Sequence, residues 1–304
     1  MQLDERQLKY VYSVVAGHGV RDAAEQLGVD PSAVSRTIAG AERILGMTLF
    51  QRHGRSMEPT EAARMLHDYY RETLLQHADL QSKLDDLRGI RSGSIGLAVS
   101  EGFIEDLFDG PLDEFRQRYP AVRIELMHAS VDEISRQVAE SAVDLGVTYN
   151  AAPHEGVVVV ASRPMPIDLI VPAGHPLAKL RRPVTIDELL SLPLALALVS
   201  SGYGLRRAVE VFEFTHRAHL KPVFTTNGLA ALRGFVAHGH GATLLSHETM
   251  RREIEAGLVA ALEIDDVVFR RAQAQLLARK GRRLSPASAE MVKLVATGLS
   301  MTLG

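Results

Sequence analysis

The chain has 304 residues, an apolar fraction of 46%, no cysteine and a formal net charge of −3. This length and apolar content allow two or three domains, and the missing cysteines exclude disulfides and thiolate metal sites. The N-terminus is charged and no apolar run of about 18 residues occurs, so we expect a soluble cytoplasmic protein without a signal peptide.

Apolar residues at helical spacing predict a first helix that ends at the glycine break at 17–19. Its apolar positions are Leu3, Leu8, Val11, Tyr12 and Val15. A second, short helix carries Ala23, Ala24 and Leu27, whose small side chains let another helix approach closely. Gly28 ends this helix, because glycine tolerates the left-handed conformation of a helix C-cap.

A third helix is predicted to begin at Pro31, where the missing backbone N–H costs nothing, with Asp30 as its N-cap. Its apolar stripe consists of Val34, Ile38, Ala41 and Leu45. Short hydroxyls and an arginine at its leading end lie largely off that stripe, and such groups reach base edges and phosphates in a major groove. The expected DNA contacts of this recognition helix are Ser32, Ser35, Arg36 and Thr37.

The polar segment QRHGRSMEP follows the recognition helix and holds a glycine turn between arginines, which predicts a wing. Arg52, His53 and Arg55 are expected to face the DNA backbone or a minor groove, where arginine suits the negative potential. The alternative for each of these wing and helix residues is a local role in capping or solvating the backbone.

Four segments of this region, AAEQLGV, PSAVSRTI, LFQR and PTEAA, resemble the winged helix-turn-helix of LysR-type transcriptional regulators. The similarity is strongest over residues 8–63, and the remainder of the chain also fits the family. Three positions depart from the usual pattern: Pro31 and Ala41 replace a common Gln and Leu, and Gly40 lies inside the recognition helix. An interior glycine weakens a helix by ~1 kcal/mol relative to alanine, so this helix depends on tertiary packing.

An uninterrupted helical pattern begins after Thr60, an N-cap, and runs to about Arg88, which predicts a linker helix at 60–88. Its stripe consists of Met65, Leu66, Tyr69, Tyr70, Thr73, Leu74, Leu80, Leu84 and Leu87. A helix of this length cannot bury its own stripe, so we expect a partner helix from a second subunit and hence a dimer. Docking on its own chain's core is the alternative.

Residues 89–93 have the composition of a hinge, and alternating strands and helices follow them. We expect a mainly parallel α/β unit at 94–163, completed by 267–304 with a strand from Phe269 to Ala278, and a second α/β unit at 164–266. Two lobes with a chain that crosses between them are what the resemblance to LysR-type effector domains, and behind those to periplasmic binding proteins, implies.

Open parallel sheets bind ligands at the carboxyl ends of their strands, where hydroxyls and free amides hold polar groups without a full charge. The expected effector contacts there are Ser100, Glu101, Ser130, Thr148, Ser200, Ser201 and Thr226. If Glu101 faces the cleft, its carboxylate favours a ligand with a donor or a cation. Each residue has an alternative role as a cap or turn former.

The sequence signals of an enzyme are weaker than those of a DNA-binding regulator. His238, His240 and His247 have the side chains of metal ligands, but the family has a glycine-rich turn at this place without a metal, so we expect no metal and no cofactor. The segment SSGYG lacks the G-x-S-x-G nucleophile elbow, and phosphate-binding fingerprints are absent.

We therefore expect a LysR-type regulator that binds double-stranded DNA at an inverted repeat as a homodimer or homotetramer and takes a small-molecule effector between its lobes. Residues 1–92 hold 12 Lys or Arg against 13 Asp or Glu, so DNA affinity must depend on the placement of a few arginines. The alternative is a metabolite-binding protein whose N-terminal helices mediate protein contacts, and an enzyme comes third.

Overall fold

The computed structural model describes residues 3–17, 19–53, 56–87, 93–192, 194–197 and 203–304. The chain divides into two compact units, Met1–Gly89 and Ile90–Gly304.

The first unit begins with three helices: α1 (Glu5–Ala16), α2 (Val20–Leu27) and α3 (Pro31–Leu45). Asp30 caps α3 as the sequence predicts, because its carboxylate accepts a hydrogen bond from the backbone N–H of Ser32 at 2.7 Å. Gly28 and Gly46 end α2 and α3, both with a φ of 65°, which only glycine adopts without strain. These stops set the tight turn between α2 and α3.

A two-stranded hairpin of β1 (Phe50–His53) and β2 (Ser56–Pro59) follows α3, and the long helix α4 (Glu61–Leu87) follows the hairpin. Glu42 joins α3 to the hairpin, because its Oε1 accepts hydrogen bonds from the backbone N–H groups of Leu49 at 2.7 Å and Phe50 at 3.4 Å. The wing is therefore fixed to α3 by a side chain of α3 itself.

The core of the first unit lies between α1, α2, α3 and the first turns of α4. Its fully buried side chains include Val11, Ala23, Val34, Ala41, Leu49 and Ala63. On α4, Tyr70 is buried, and Tyr12 of α1 stacks on His67 with ring centroids 4.8 Å apart. The start of the linker helix is thus part of this core.

Gly40 offers a direct test of how α3 is held. A Cβ added at Gly40 would meet only Nε2 of Gln7, at 3.7 Å, which is ordinary van der Waals contact. We expect Gly40→Ala to stabilise α3 by about 1 kcal/mol, measured by native-state amide exchange of α3 in the full chain. The matched change Gly28→Ala should instead destabilise by about 1 kcal/mol, since alanine resists the left-handed φ; equal effects of the two changes would contradict this explanation.

The second unit holds the remaining elements. Its strands are β3 (Gly93–Val99), β4 (Val122–His128), β5 (Leu145–Tyr149), β6 (Val157–Pro164), β7 (Asp168–Pro172), β8 (Leu194–Ala197), β9 (Pro222–Thr226), β10 (Ala242–Leu245), β11 (Val259–Leu262), β12 (Gln273–Arg279) and β13 (Thr302–Leu303). Its α-helices are α5 (Ile104–Phe108), α6 (Pro111–Arg118), α7 (Val131–Ala139), α8 (Ile186–Leu190), α9 (Gly204–His216), α10 (Leu229–Ala237), α11 (Arg251–Glu255), α12 (Val267–Arg270) and α13 (Pro286–Gly298). Short 3-10 helices cover Glu101–Phe103 and Pro176–Lys179.

The strands form two sheets, and each sheet with its helices is called a lobe below. Lobe 1 contains the six-stranded sheet of order β13-β6-β12-β5-β3-β4, and lobe 2 contains the five-stranded sheet of order β11-β7-β10-β8-β9. The chain passes from lobe 1 to lobe 2 between β6 and β7 and returns between β11 and β12. The returning strand β12 lies between β5 and β6, so the C-terminal segment completes the first sheet.

Both sheets are mixed, which corrects the expectation of mainly parallel sheets. Among the strands of the described residues, parallel pairing joins β4-β3-β5 in lobe 1 and β10-β8-β9 in lobe 2. The strands by which the chain enters a lobe after a crossing, β7 in lobe 2 and β12 in lobe 1, run antiparallel to their neighbours. Strand β7 pairs with β10, and β12 pairs with β5 and β6, because the chain enters a lobe in one direction and leaves it in the opposite one.

The strand predicted from Phe269 begins later, at Gln273. Asp266 accepts hydrogen bonds from the backbone N–H groups of Val268 and Phe269 and so starts the one-turn helix α12 instead. Strands β6 and β13 were not predicted from the sequence. The valine run of β6 is the signal that marks it, since β-branched residues favour strands.

Candidate functional site

The leading face of α3 is exposed on the surface of the first unit. Ser32, Ser35 and Arg36 are exposed, while Val34 and Ile38 on the other side of the helix are buried. Further along the same exposed face lie Ala39 and Arg43. The helix therefore presents two short hydroxyls, a small apolar residue and two arginines on one surface, which suits a major groove.

Arg36 and Arg43 form no ion pair within the described residues, so both guanidinium groups are available to an external anion. At the start of the helix, hydrogen bonds from Ser32 and the charge of Arg36 lower the pKa of Asp30. Thr37 differs from its neighbours: it is half-buried, and its hydroxyl donates to the carbonyl oxygen of Ala33 at 2.9 Å. Its hydroxyl proton is thus already used inside the helix.

The wing carries the other expected DNA contacts. Arg52 and His53 belong to β1, which pairs antiparallel with β2 through His53 opposite Ser56. The side chains of Arg52 and His53 and the whole of Arg55 lie outside what the structure describes.

Helix α4 exposes apolar side chains along one face. Met65, Tyr69 and Leu80 are 67%, 61% and 55% exposed, and at 100° per residue they fall within about 60° of one another. Leu74, which the sequence pattern assigned to the same stripe, is 40% exposed but lies on the opposite side, because nine residues after Met65 the helix has turned by about 180°. Three large exposed apolar groups on one helix face are typical of a surface that another helix covers.

A cavity of about 110 Å³ lies between the two lobes of the second unit. It is bounded by the strand ends of lobe 1, the N-terminal turns of α9 and α10, and the segment after β10. Its wall is mainly apolar, and its lining includes Phe103, Val131, Met165, Leu205, Leu229 and Leu245. An engineered apolar cavity of about 150 Å³ holds benzene, so this space suits a small organic molecule.

Only some of the predicted effector contacts lie at this cavity. Ser100 and Glu101 line it, whereas Ser130, Thr148 and Thr226 do not. Ser200 and Ser201 lie outside the described residues.

Local hydrogen bonds and strand geometry explain why Ser130, Thr148 and Thr226 do not line the cavity. Ser130 caps α7 by accepting from the backbone N–H of Glu133 at 3.4 Å, and Thr226 accepts from the N–H of Gly228 at 3.1 Å. Thr148 is fully buried in β5. Because side chains alternate along a strand, Thr148 lies on the same face as Gly146, toward α7, and away from the cavity.

Glu101 bridges the lobes. Its Oε2 accepts a hydrogen bond from the backbone N–H of Leu229 at 2.8 Å, across the cleft at the start of α10. The N-cap residue of α10, Gly228, has no side chain with which to cap the helix. A carboxylate from lobe 1 therefore satisfies an N–H group of a lobe 2 helix and lies near the positive end of its dipole.

Ion pairs hold the lobes together around the cavity. Arg163 pairs with Glu248, Arg207 with Asp132 at 2.6 Å, Arg251 with Asp106 at 3.2 Å and Arg252 with Glu105 at 3.4 Å. Burial raises the pKa of Asp106, although Arg251 opposes that rise. The exposed pairs among them contribute little individually, so a modest free energy can separate each of those.

The backbones of the two lobes approach closely at Gly204, the first residue of α9. A Cβ built there would lie 1.8 Å from the carbonyl oxygen of Tyr149 at the end of β5. The carbonyl oxygen of Gly204 also accepts from Nδ2 of Asn150 at 3.4 Å. Only glycine fits this arrangement of the lobes.

Polar groups gather where the chain crosses between the lobes. The hydroxyl of Tyr149 donates to the carbonyl oxygen of Met165 at 2.8 Å. Asp168 accepts from the backbone N–H of His247 at 2.9 Å and lies 2.8 Å from its Nδ1. Burial raises the pKa of Tyr149 and that of Asp168, and the hydrogen bonds from His247 oppose the shift at Asp168.

The histidines considered as metal ligands are used differently. His238 Nδ1 lies 2.7 Å from the carbonyl oxygen of Gly234, and His247 faces Asp168. Within the described ranges no group of three or more His, Asp or Glu side chains has the arrangement of a metal site. Nor does any helix in that part of the chain combine the length and apolarity needed to cross a membrane.

The apolar lining was not found by sequence reasoning, which searched for polar groups at strand ends. Three glycines of the lining, Gly102, Gly204 and Gly228, were the available signal, because each lies at or just before a helix start near the cleft. Glycine at such a position often allows close approach of a backbone or a ligand.

Two family models match the chain. Residues 5–64 match "Bacterial regulatory helix-turn-helix protein, lysR family", and residues 88–300 match "LysR substrate binding domain". Among curated proteins, the chain is 27% identical over 290 residues to the RuBisCO operon transcriptional regulator of Allochromatium vinosum, covering 95% of this chain and 94% of that protein. It is 28% identical over 246 residues to the regulator BbuR of Bordetella bronchiseptica, covering 80% and 74% of the two chains.

Solved structures share the fold across nearly the whole chain. A full-length OxyR variant from Pseudomonas aeruginosa matches with a TM-score of 0.66 at 15% identity, covering 98% of this chain and 94% of that chain. Full-length CbnR complexed with its target DNA matches with a TM-score of 0.58 at 19% identity, covering 98% and 100% of the two chains.

Proposed function

The chain belongs to the LysR family of DNA-binding transcription regulators, and from this premise we propose that α3 reads DNA while the cavity between the lobes senses a small molecule. We assign 1–59 to DNA binding, 60–88 to dimerisation and 89–93 to a hinge, of which 89–92 lie outside the described residues. The lobes are assigned to 94–163 with 267–304 and to 164–266. Members of the family are regulators, and we propose that this chain likewise catalyses no reaction. We also propose that it acts in the cytoplasm, because a transcription regulator acts where the DNA is.

The observation that carries the DNA-binding role is the composition of the exposed face of α3. Ser32, Ser35 and Arg36 are exposed on a helix whose other side is buried in the core. Arg36 has no ion pair within the described residues. The wing is tied to this helix by Glu42, so that both elements approach a duplex together. A few correctly placed contacts suffice for specific binding by a unit that is not basic overall.

DNA binding is tested by selecting duplexes from a random pool with the full chain and then titrating the recovered site at increasing salt. We expect log K to fall linearly with log salt concentration, because each neutralised phosphate releases counterions. The second candidate function, a metabolite-binding protein whose N-terminal helices contact proteins, is supported by the near-equal acidic and basic counts of residues 1–92. Failure to recover a common sequence, with no salt-dependent retention, would favour that candidate.

The exposed stripe of α4 supports a dimer, and two heads related by a two-fold axis favour an inverted-repeat site. We expect the double substitution Met65→Lys and Tyr69→Lys to convert the dimer to a monomer, measured by light scattering of the full chain. Buried like charges in a helix pair are strongly unfavourable. The control Leu74→Lys, on the opposite side of α4, should leave the mass unchanged; a dimer that survives the double substitution would exclude this face.

We propose that regulation acts through the ion pairs and hydrogen bonds between the lobes. A molecule in the cavity contacts both lobes and therefore favours one angle between them over others. It shifts the population only by its difference in affinity for the two arrangements, and a change from 1:99 to 99:1 needs roughly 5.5 kcal/mol. We propose that effector domains packed in a dimer or tetramer pass the changed angle through the linker helices to the DNA-reading heads.

A further inference from the structure

The charges around the cavity between the lobes restrict what it can bind. No lysine, arginine or histidine is among its described lining residues, and Glu101 is the one carboxylate there. The described lining therefore offers no cation that would neutralise a carboxylate or a phosphate. Arg233, Arg251 and Arg252, which line the adjoining cleft, are each paired with a carboxylate.

One of the two helix N-termini at the cavity, that of α10, already has a carboxylate partner. The start of α10 lies at the cavity, and the carboxylate of Glu101 accepts the Leu229 N–H there at 2.8 Å. An anionic ligand at this point would displace Glu101 and leave it unpaired, or would lie beside it as a like charge. A cationic ligand gains little either, since the carboxylate is paired with the positive end of the helix dipole.

One polar group at the cavity has no partner. The Oγ of Ser100 is buried and makes no hydrogen bond within the described part of the chain, and Ser100 lines the cavity. A buried hydroxyl without a partner is costly, so a ligand group that bonds to it gains affinity. A hydroxyl donates and accepts, so it matches an alcohol or a carbonyl oxygen.

We propose that the effector is an uncharged, mainly apolar molecule with one hydroxyl or carbonyl group, bound with that group at Ser100, and that Glu101 excludes anions. This inference rests on the proposed effector role of the cavity. It departs from a site for phosphates or carboxylates, for which the lining contains no counter-charge.

The test uses three probes of matched size, benzyl alcohol, benzoate and benzylammonium, with the full chain in calorimetric titrations at neutral pH. We expect benzyl alcohol to bind at least 10-fold more tightly than either ion. Inorganic phosphate serves as a fourth probe and should not bind the cavity.

Variants locate the binding and its selectivity. Glu101→Gln keeps an oxygen that accepts the Leu229 N–H but removes the charge, so benzoate should gain about 10-fold while benzyl alcohol changes less than 3-fold. Ser100→Ala should weaken benzyl alcohol by about 2- to 10-fold, the value of one hydrogen bond, and leave toluene unaffected. Thr215→Ala, on the outer surface of α9, is the matched control and should change neither.

Two results would overturn the proposal in distinguishable ways. If benzoate, phosphate or benzylammonium binds the wild type as tightly as benzyl alcohol, the neutral-ligand inference is wrong while the cavity stays an effector site. If none of the probes binds, the cavity itself fails as the effector site, and the sensing part of the proposed function fails with it. DNA binding, measured separately, is independent of both results.

Discussion

Replacing Arg36 by alanine is expected to weaken binding to the selected DNA site by roughly 5- to 150-fold, the effect of about 1–3 kcal/mol for a lost arginine contact. Arg36 is exposed on the leading face of α3 and has no ion pair within the described residues. Fluorescence anisotropy at several salt concentrations measures the loss. A contact to a base relaxes discrimination at one position, whereas a contact to phosphate weakens all sequences and lowers the salt slope by about one.

Lys9→Ala is the matched control for Arg36→Ala. Lys9 is also exposed in the first unit, but it lies on α1 rather than on α3, and its replacement removes the same unit of charge. We expect less than a 3-fold effect on affinity. If both variants lose affinity equally, general charge rather than α3 carries the binding, and if neither does, α3 is not the DNA-reading helix.

Gly204→Ala is expected to force the lobes apart. The new Cβ would lie 1.8 Å from the carbonyl oxygen of Tyr149, where real contacts are essentially never below 3.0 Å, so the start of α9 must move by more than 1 Å. We expect movement of the whole lobe to relieve the clash, because the contacts across the cleft include partly exposed ion pairs such as Arg207 with Asp132 and single hydrogen bonds such as that from Leu229 N–H to Glu101. We expect a more open second unit and at least a 10-fold weaker affinity for a cavity ligand such as benzyl alcohol.

The absence of cysteine makes the opening measurable. Spin labels on Asp113→Cys in lobe 1 and Asp187→Cys in lobe 2, both exposed positions, report the distance between the lobes when labelled chains are diluted with unlabelled ones. The distance should lengthen in Gly204→Ala. Gly234→Ala, in α10 with open space around it, is the control and should leave the distance unchanged. An unchanged distance in Gly204→Ala together with normal ligand binding would refute the fit argued for this glycine.

The first unit follows from local sequence signals. Asp30 with Pro31 starts α3, Gly28 and Gly46 stop α2 and α3, and the apolar period of α3 identifies its buried side. Each signal acts within a few residues, so no knowledge of distant contacts is needed. The exposure of Ser35 and Arg36 is then a consequence of the same period.

The second unit depends on distant pairing, which the sequence does not show. Strand β12 pairs with β5 and β6, more than 100 residues earlier in the chain, and the mixed order of both sheets results from that return. The chain order of strands and helices predicts the lobes but not the direction of the strands beside each crossing.

The residues of the cavity were equally hard to predict. Polarity at a strand end identified Ser100 and Glu101, but it also selected Thr148, whose side chain lies on the other face of β5. The bond from the Leu229 N–H to Glu101 joins residues 128 positions apart and has no local signature.

The late return of β12 to lobe 1 has a consequence for the order in which a newly made chain folds. Strand β5 ends at Tyr149 and its neighbour β12 begins at Gln273, so at 5–20 residues per second the ribosome needs roughly 6–25 s to supply the missing partner. During that interval the inner edge of β5 has unpaired N–H and C=O groups, and lobe 2 can complete its sheet first. The first unit, which holds α3, is synthesised before either lobe, so a nascent chain has the exposed face of α3 before it has the cavity between the lobes.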